Sequence, residues 1–362
     1  MIPLESIFNP SNDMALAANV RQYLPPRRIQ QMEADLAELA RVWDGTRFSG
    51  PWGWSLATKQ RYRRMGVAEE LLPSDEWLTE LRRLSSREFA CGYVSELLAA
   101  INDERLLGRE MRWVDGSSFD SSALIASEST TSWSIDRSRR GRPTDHDVVD
   151  LGAVDESLLR IFKSPWSSSG RGVFVTGLEG QSLRGKEQGA RSERILCRLQ
   201  GFLSSQGGFL VDRFYADKVL DFAMEFFVND DGSVDSLGYS VFHAADTGAY
   251  GYNYVESQEE LLGRIMPSQG EEQLLEQLIA YHKEHLGKTA YRGPVGIDML
   301  KTADGHIHPC LEINFRMNMG ILALLLYERY GSGCTIQLTP RRPNGFEALV
   351  ERGKLMLTYC RQ

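Results

Sequence analysis

Two carboxylates and an amide, Asp298, Glu312 and Asn314, stand in a stretch that reads as two short strands, 295–301 and 306–314. Ala303-Asp304-Gly305 between them supplies turn chemistry. Side chains alternate across a strand, so Glu312 and Asn314 share a face. If the two strands pair, Asp298 lies beside them on that face. Hard oxygen donors of this kind suit magnesium, which takes one or two carboxylates together with nucleotide phosphates. Arg316 projects the same way, and its planar fork matches a carboxylate or an oxyanion. The same acids also fit an ordinary polar strand edge, and a short pattern alone does not separate the two readings.

A second stretch, 160–176 (RIFKSPWSSSGRGVFVT), lies upstream. A strand carrying Lys163 runs into a loop of Ser167, Ser168, Ser169, Gly170, Arg171 and Gly172, and a second strand follows. Small residues let backbone N–H groups cradle an anion, and Lys163 can reach a phosphate as a point charge. No Gly-Lys-Ser/Thr follows the glycines, so this is not a Walker loop. Alone it also reads as an ordinary hairpin.

In this order along the chain, the two stretches resemble the ATP-grasp superfamily over 148–330, half the chain. The resemblance implies an α/β (α+β) ATP-grasp fold with a small N-terminal α/β domain, pre-ATP-grasp-like. It implies a lysine strand and glycine-rich hairpin that close over ATP from one subdomain. Lys163 and the loop from Ser167 to Gly172 match those parts. The other subdomain supplies an acid, an acid and an asparagine as metal ligands, which Asp298, Glu312 and Asn314 match. Asp212, Arg213 and Phe214 fall at the hinge that reads adenine. Asp221 falls where an acid holds the ribose hydroxyls, with spacing slightly longer than the family's; a solvated carboxylate at a strand start is the other reading.

The activity implied is that of an ADP-forming ligase joining a carboxylate to an amine, or sometimes a thiol, through an acyl phosphate. ATP and Mg2+ are the cofactors, with Mn2+ the alternative ion. Arg316 and Lys163 are the catalytic candidates, and small-molecule carboxylates and amines the partners. A homodimer is the expected assembly. A kinase-like phosphotransferase or a nucleotide-binding module without chemistry shares the same parts; the intact ligand set and Lys163 weigh against the module. One departure stands out: many peptide-forming relatives carry arginine two residues before the first metal acid, where this chain has Gly296.

These stretches divide the chain into an N-terminal α/β domain (1–114), a polar linker (115–147), the smaller subdomain or lid (148–212), the larger subdomain with the metal site (213–340) and a C-terminal segment (341–362). A short strand is expected over 4–8, then a helix from Met14 with caps available at 11–13. Asn12 and Asp13 are further site candidates, because loops at strand ends bind ligands in open α/β sheets. A helix is expected over 30–43, where Met32, Leu36, Leu39 and Trp43 recur at helical spacing. Trp52 and Trp54 read as core before ligand stacking. The arginine-rich run 137–142 reads as a solvated loop, with anion binding the alternative. Residues 247–254 are expected to form a loop near the site. His282 and His285 lie on a helix over 271–286 and read as packed or exposed side chains, since they lack the spacing and acid of a zinc motif. His308 reads as strand filling.

The 362 residues are 42% hydrophobic and 25% charged, enough for a sizeable core. The net charge of −8 argues against nucleic acid as the main partner. Cysteines at 91, 197, 310, 334 and 360 show no metal or redox spacing, as expected of a reducing compartment. With no signal-like start and no apolar run long enough to span a bilayer, a cytoplasmic protein without membrane partners is expected.

Overall fold

The computed structural model describes residues 4–119, 159–167, 172–175, 186–244, 250–266, 272–339, 345, 347–352 and 355–361. It divides into two compact units, one of Met1–Arg109, Trp166–Gly172 and Asp217–Gln362, the other of Glu110–Pro165 and Val173–Ala216.

The larger unit begins with helices α1 (Asn12–Ala18), α2 (Arg27–Asp35), α3 (Leu56–Arg64), α4 (Asp75–Leu84) and α5 (Arg87–Ile101). Ser55, Ser74 and Ser86 accept the backbone N–H of Thr58, Trp77 and Phe89, so three starts are capped as their residue types favour. Ser11 makes no such bond. The helix starts two residues earlier than Met14, and Asn12 and Asp13 sit inside its first turn. In place of a strand over 4–8, Ile7 makes a single parallel bridge to Pro51. The expected helix over 30–43 breaks: α2 stops at Asp35 and a 3-10 stretch, Ala37–Val42, carries on. Leu36, Leu39 and Trp43 are nevertheless buried, and Trp52 packs edge-on against Phe8 and Trp43, as core rather than ligand platform.

The smaller unit is a sheet of β1 (Arg112–Asp115), β2 (Arg160–Lys163), β3 (Val173–Val175) and β4 (Gly208–Arg213), in the antiparallel order β1-β4-β2-β3. Helix α6 (Lys186–Gln206) lays Ile195 and Leu199 against Phe162, Phe209 and Val211. Strand β1 straddles the expected boundary between the N-terminal domain (1–114) and the linker (from 115), and its hydrogen bonds go to β4.

The larger unit then builds eight antiparallel strands: β5 (Lys218–Val228), β6 (Val234–Ala244), β7 (Tyr250–Val255), β8 (Gly293–Thr302), β9 (Ile307–Asn314), β10 (Cys334–Thr339), β11 (Glu347–Arg352) and β12 (Leu355–Arg361). Their order is β11-β12-β10-β7-β6-β5-β8-β9. Helices α7 (Gln258–Ile265), α8 (Glu272–Gly287) and α9 (Met319–Tyr330) complete it. Ile321, Leu322 and Leu326 of α9 join Val255, Ile336 and Leu357 of the sheet in one core cluster. One expectation fails here: residues 250–254 belong to β7 rather than a loop. The C-terminal segment, for which no element is expected, supplies β11 and β12. In β7 the glycine and tyrosines hide a period of two, in which Asn253 and Val255 are buried while Tyr252 and Tyr254 are half-buried. Among the described residues no helix is long and apolar enough to cross a membrane.

Candidate functional site

The strand alternation that linked Asp298, Glu312 and Asn314 is realised by the pairing of β8 and β9. Asp298 stands directly opposite Glu312, and Gly296 opposite Asn314. Directly paired residues of an antiparallel ladder share a face, so all three polar side chains converge. Asn314 Nδ2 donates to Asp298 Oδ2 at 3.0 Å. Burial pushes the Asp298 carboxyl well above its ordinary range, and the Glu312 and Glu225 carboxylates add to it; the Asn314 hydrogen bond and the Arg316 charge act the other way. Two acids crowded in this way form a site that a divalent cation would relieve. The donor set, two carboxylate groups with an amide oxygen alongside, is the kind that magnesium takes.

Glu312 has a further partner. Arg87, the first residue of α5, donates Nη2 to Glu312 Oε2 at 2.7 Å and Nη1 to Ser167 Oγ at 2.8 Å. Arg316 turns its fork onto Asp13 of α1, with Nε to Oδ1 at 3.0 Å and Nη2 to Oδ2 at 2.8 Å, and Nη1 donates to the Met317 carbonyl. Burial alone would lower the Arg316 pKa; the charge and hydrogen bonds of Asp13 together with the Glu312 and Asp298 charges outweigh it and raise it. Asp13 therefore enters the site as the anchor of an arginine, while Asn12 is buried against Gly53.

Beneath these groups Glu225 of β5 is 1% exposed. Its Oε1 accepts from Ser240 Oγ and its Oε2 from Asn318 Nδ2, both at 2.8 Å. Burial raises its carboxyl to about 7 against the restraint of those two bonds and the Arg316 charge. Glu225 pairs with Gly296 across the ladder. A Cβ at Gly296 would collide with Asn318 Nδ2 and Glu225 Oε2, and one at Gly320 with Glu225 Oε1 and Ser240 Oγ. Gly296 thus makes room for a buried acid and its amide partner.

The remaining candidates fall as follows. Lys163 is buried on β2, opposite Leu210. Gly172 adopts a left-handed φ of 71°, which glycine tolerates freely. Ser168, Ser169, Gly170 and Arg171, like the 137–142 run, lie outside the described residues. Asp212 Oδ1 accepts from the Arg213 N–H at 2.7 Å, and the Phe214 N–H donates to the Leu159 carbonyl at 3.1 Å. Two hinge N–H groups are thereby engaged within the protein. Asp221 is buried, accepting from Lys218 Nζ at 2.7 Å and from the Ala244 N–H at 3.3 Å, rather than a solvated acid. His282 is buried, its Nδ1 bonded to Tyr93 Oη at 2.7 Å, and burial, aided by His285, lowers its pKa to about 3. His308 is fully buried in β9. Both histidines are packing residues.

Arg87 and Glu225 were missed from sequence. For Arg87 the available signal is a cation in the first turn of a helix, where the dipole disfavours it. Glu225 interrupts a hydrophobic strand, FAMEFFV, and that lone acid was the clue to a buried polar network.

Solved structures share this architecture across the whole chain. The biotin carboxylase domain of Hydrogenobacter thermophilus 2-oxoglutarate carboxylase, a dimer in complex with MgADP, ADP and bicarbonate, matches with a TM-score of 0.51 and 9% identity, covering 100% of this chain and 87% of that one. Campylobacter jejuni biotin carboxylase, in its β-γ-ATP complex, matches with a TM-score of 0.51 and 11% identity, covering 99% and 87%. The chain has the ATP-grasp fold. No protein-family model and no curated protein matches the sequence. Within the ATP-grasp fold, the eight-stranded sheet of the larger unit carries Asp298, Glu312 and Asn314, and the four-stranded sheet carries Lys163.

Proposed function

We propose that this protein is an ATP-dependent, ADP-forming ligase that joins a carboxylate to an amine through an acyl phosphate. The observation that carries the reading is the direct opposition of Asp298 and Glu312, with Asn314 bonded to the former. Asp298, Glu312 and Asn314 would hold Mg2+. The ion would supply charge neutralisation at the terminal phosphates of ATP. Magnesium nucleotide in the Hydrogenobacter neighbour supports this use of the fold.

Lys163 is suited to a phosphate oxygen as a point charge, with the Ser167–Gly172 backbone as further donors. Asp221, and the hinge at Asp212, Arg213 and Phe214, are the proposed contacts for ribose and adenine. The substrate carboxylate attacks the γ-phosphorus and ADP leaves. The amine then attacks the acyl carbon, phosphate departs, and the amine loses a proton. Arg316, charged at any working pH, steadies the carboxylate and the tetrahedral oxyanion through N–H groups that Asp13 does not occupy. A homodimer in the cytoplasm is the proposed setting.

Incubation with Mg-ATP, hydroxylamine and a panel of carboxylic acids tests the reading. ADP, phosphate and a hydroxamate are the expected products. AMP and pyrophosphate, or the absence of any acid-dependent ADP, would overturn it.

A further inference from the structure

Arg87 is 4% exposed, and its guanidinium bridges two residues far apart in sequence, Ser167 and Glu312. Helix α5 packs against β9, which brings the fork to Glu312. The neighbouring turn of α4 holds the residue before Ser167. Trp166 Nε1 donates to the Arg82 carbonyl at 2.9 Å, and the Arg82 guanidinium lies 3.8 Å over the indole ring. Two arginines at the α4–α5 junction therefore cradle 166–167.

Helix stability does not account for Arg87. It stands in the first turn, where the helix dipole opposes a cation, and Ser86 already caps that end. Burial of a guanidinium is costly unless its partners are well placed. The partners here are one of the two crowded carboxylates and the first residue of the serine–glycine loop.

We infer that Arg87 is a positioning residue that fixes Glu312 for a divalent ion and ties that carboxylate to Ser167. The inference rests on the magnesium-nucleotide reading above. Glu312 is 27% exposed at its side chain, so without a restraint it has rotamer freedom to lose on binding metal. With Arg87 on Oε2, the other oxygen is oriented in advance, as outer partners orient metal-binding carboxylates elsewhere. Lysine keeps the charge but has no fork, so it cannot hold Ser167 and Glu312 in the same geometry.

The test is calorimetric titration of Mn2+ into the full chain at fixed, saturating non-hydrolysable ATP analogue. Arg87→Lys should raise the Mn2+ concentration for half-saturation by about tenfold, within the range seen when outer partners of a metal site are removed. Ser167→Ala, which leaves α5 untouched, should raise it less. In the double variant the combined effect should fall short of the product, because both act through one guanidinium. If Arg87→Lys fails to fold, Ser167→Ala alone still decides, since an unchanged half-saturation there overturns the coupling. A purely structural role for Arg87 would lower the melting temperature and leave the Mn2+ dependence in place, and that result overturns the inference while the nucleotide reading stands. Wild-type protein that takes up neither ion nor nucleotide overturns both.

Discussion

Arg316 and Asp13, 303 residues apart, meet fork to fork at 2.8 and 3.0 Å. An arginine proposed to steady substrate is therefore oriented by the first helix of the chain. Displacing a group of this kind by about an ångström can cost on the order of a hundredfold in rate. Asp13→Asn should lower turnover by roughly ten- to a hundredfold with little change in nucleotide affinity. Arg316→Lys should do the same, because a point charge replaces a two-pronged donor. ADP release measured beside nucleotide binding checks both; full turnover in either variant would remove Arg316 from the mechanism.

Asp298 and Glu312 should each be needed for Mg-ATP binding. Asp298→Asn also removes one of two crowded carboxylates, so the metal-free variant should melt at or above the wild-type temperature while binding Mg-ATP at least tenfold more weakly, the scale of a lost ligand-shell contact. Equal Mg-ATP affinity in Asp298→Asn and Glu312→Gln, measured by calorimetry, would dismiss the metal assignment.

Glu225 should leave a mark on stability against pH. Its folded carboxyl sits near 7 against a usual 4.5, so between those values the folded state binds more protons than the unfolded state. Stability contributed by the protonated form is then lost as pH rises through that window, by about 3 kcal/mol in total, with no further change above it. Glu225→Gln should flatten the fall. Urea midpoints from pH 4 to 8 in both proteins provide the check, and parallel curves would contradict the buried acid's titration.

Gly296 should tolerate no side chain. A methyl there meets Asn318 and Glu225 in a packed, hydrogen-bonded network, and overpacking costs about 1–3 kcal/mol. Thermal melting of Gly296→Ala should show a drop of several degrees; an unchanged melt would mean that the network shifts without cost.

The sequence was most legible where contacts are local. The period of two placed Asp298, Glu312 and Asn314 on one face, and the Asp-Gly turn fixed where β8 and β9 reverse. What stayed hidden is long-range. No local pattern tells that Arg87 will find Glu312 across 225 positions, or Glu225 find Asn318 across 93. The strand at 250–255 was obscured for a different reason: its buried positions include a polar asparagine, which breaks the apolar alternation that strands advertise.

Asn318 performs two opposite tasks with one amide. Its Oδ1 accepts the Ile321 N–H at the start of α9, and its Nδ2 donates to Glu225. Aspartate has the same shape and could keep the cap, yet it would set a second carboxylate against a buried one. Serine could cap the helix and would leave Glu225 short of a donor. Position 318 thus has no conservative neighbour among the amino acids, and slow hydrolysis of that amide to an acid over the life of a molecule would damage the same pair. A residue with two incompatible duties cannot be exchanged alone: a change at Asn318 has to be matched at Glu225 and Gly296.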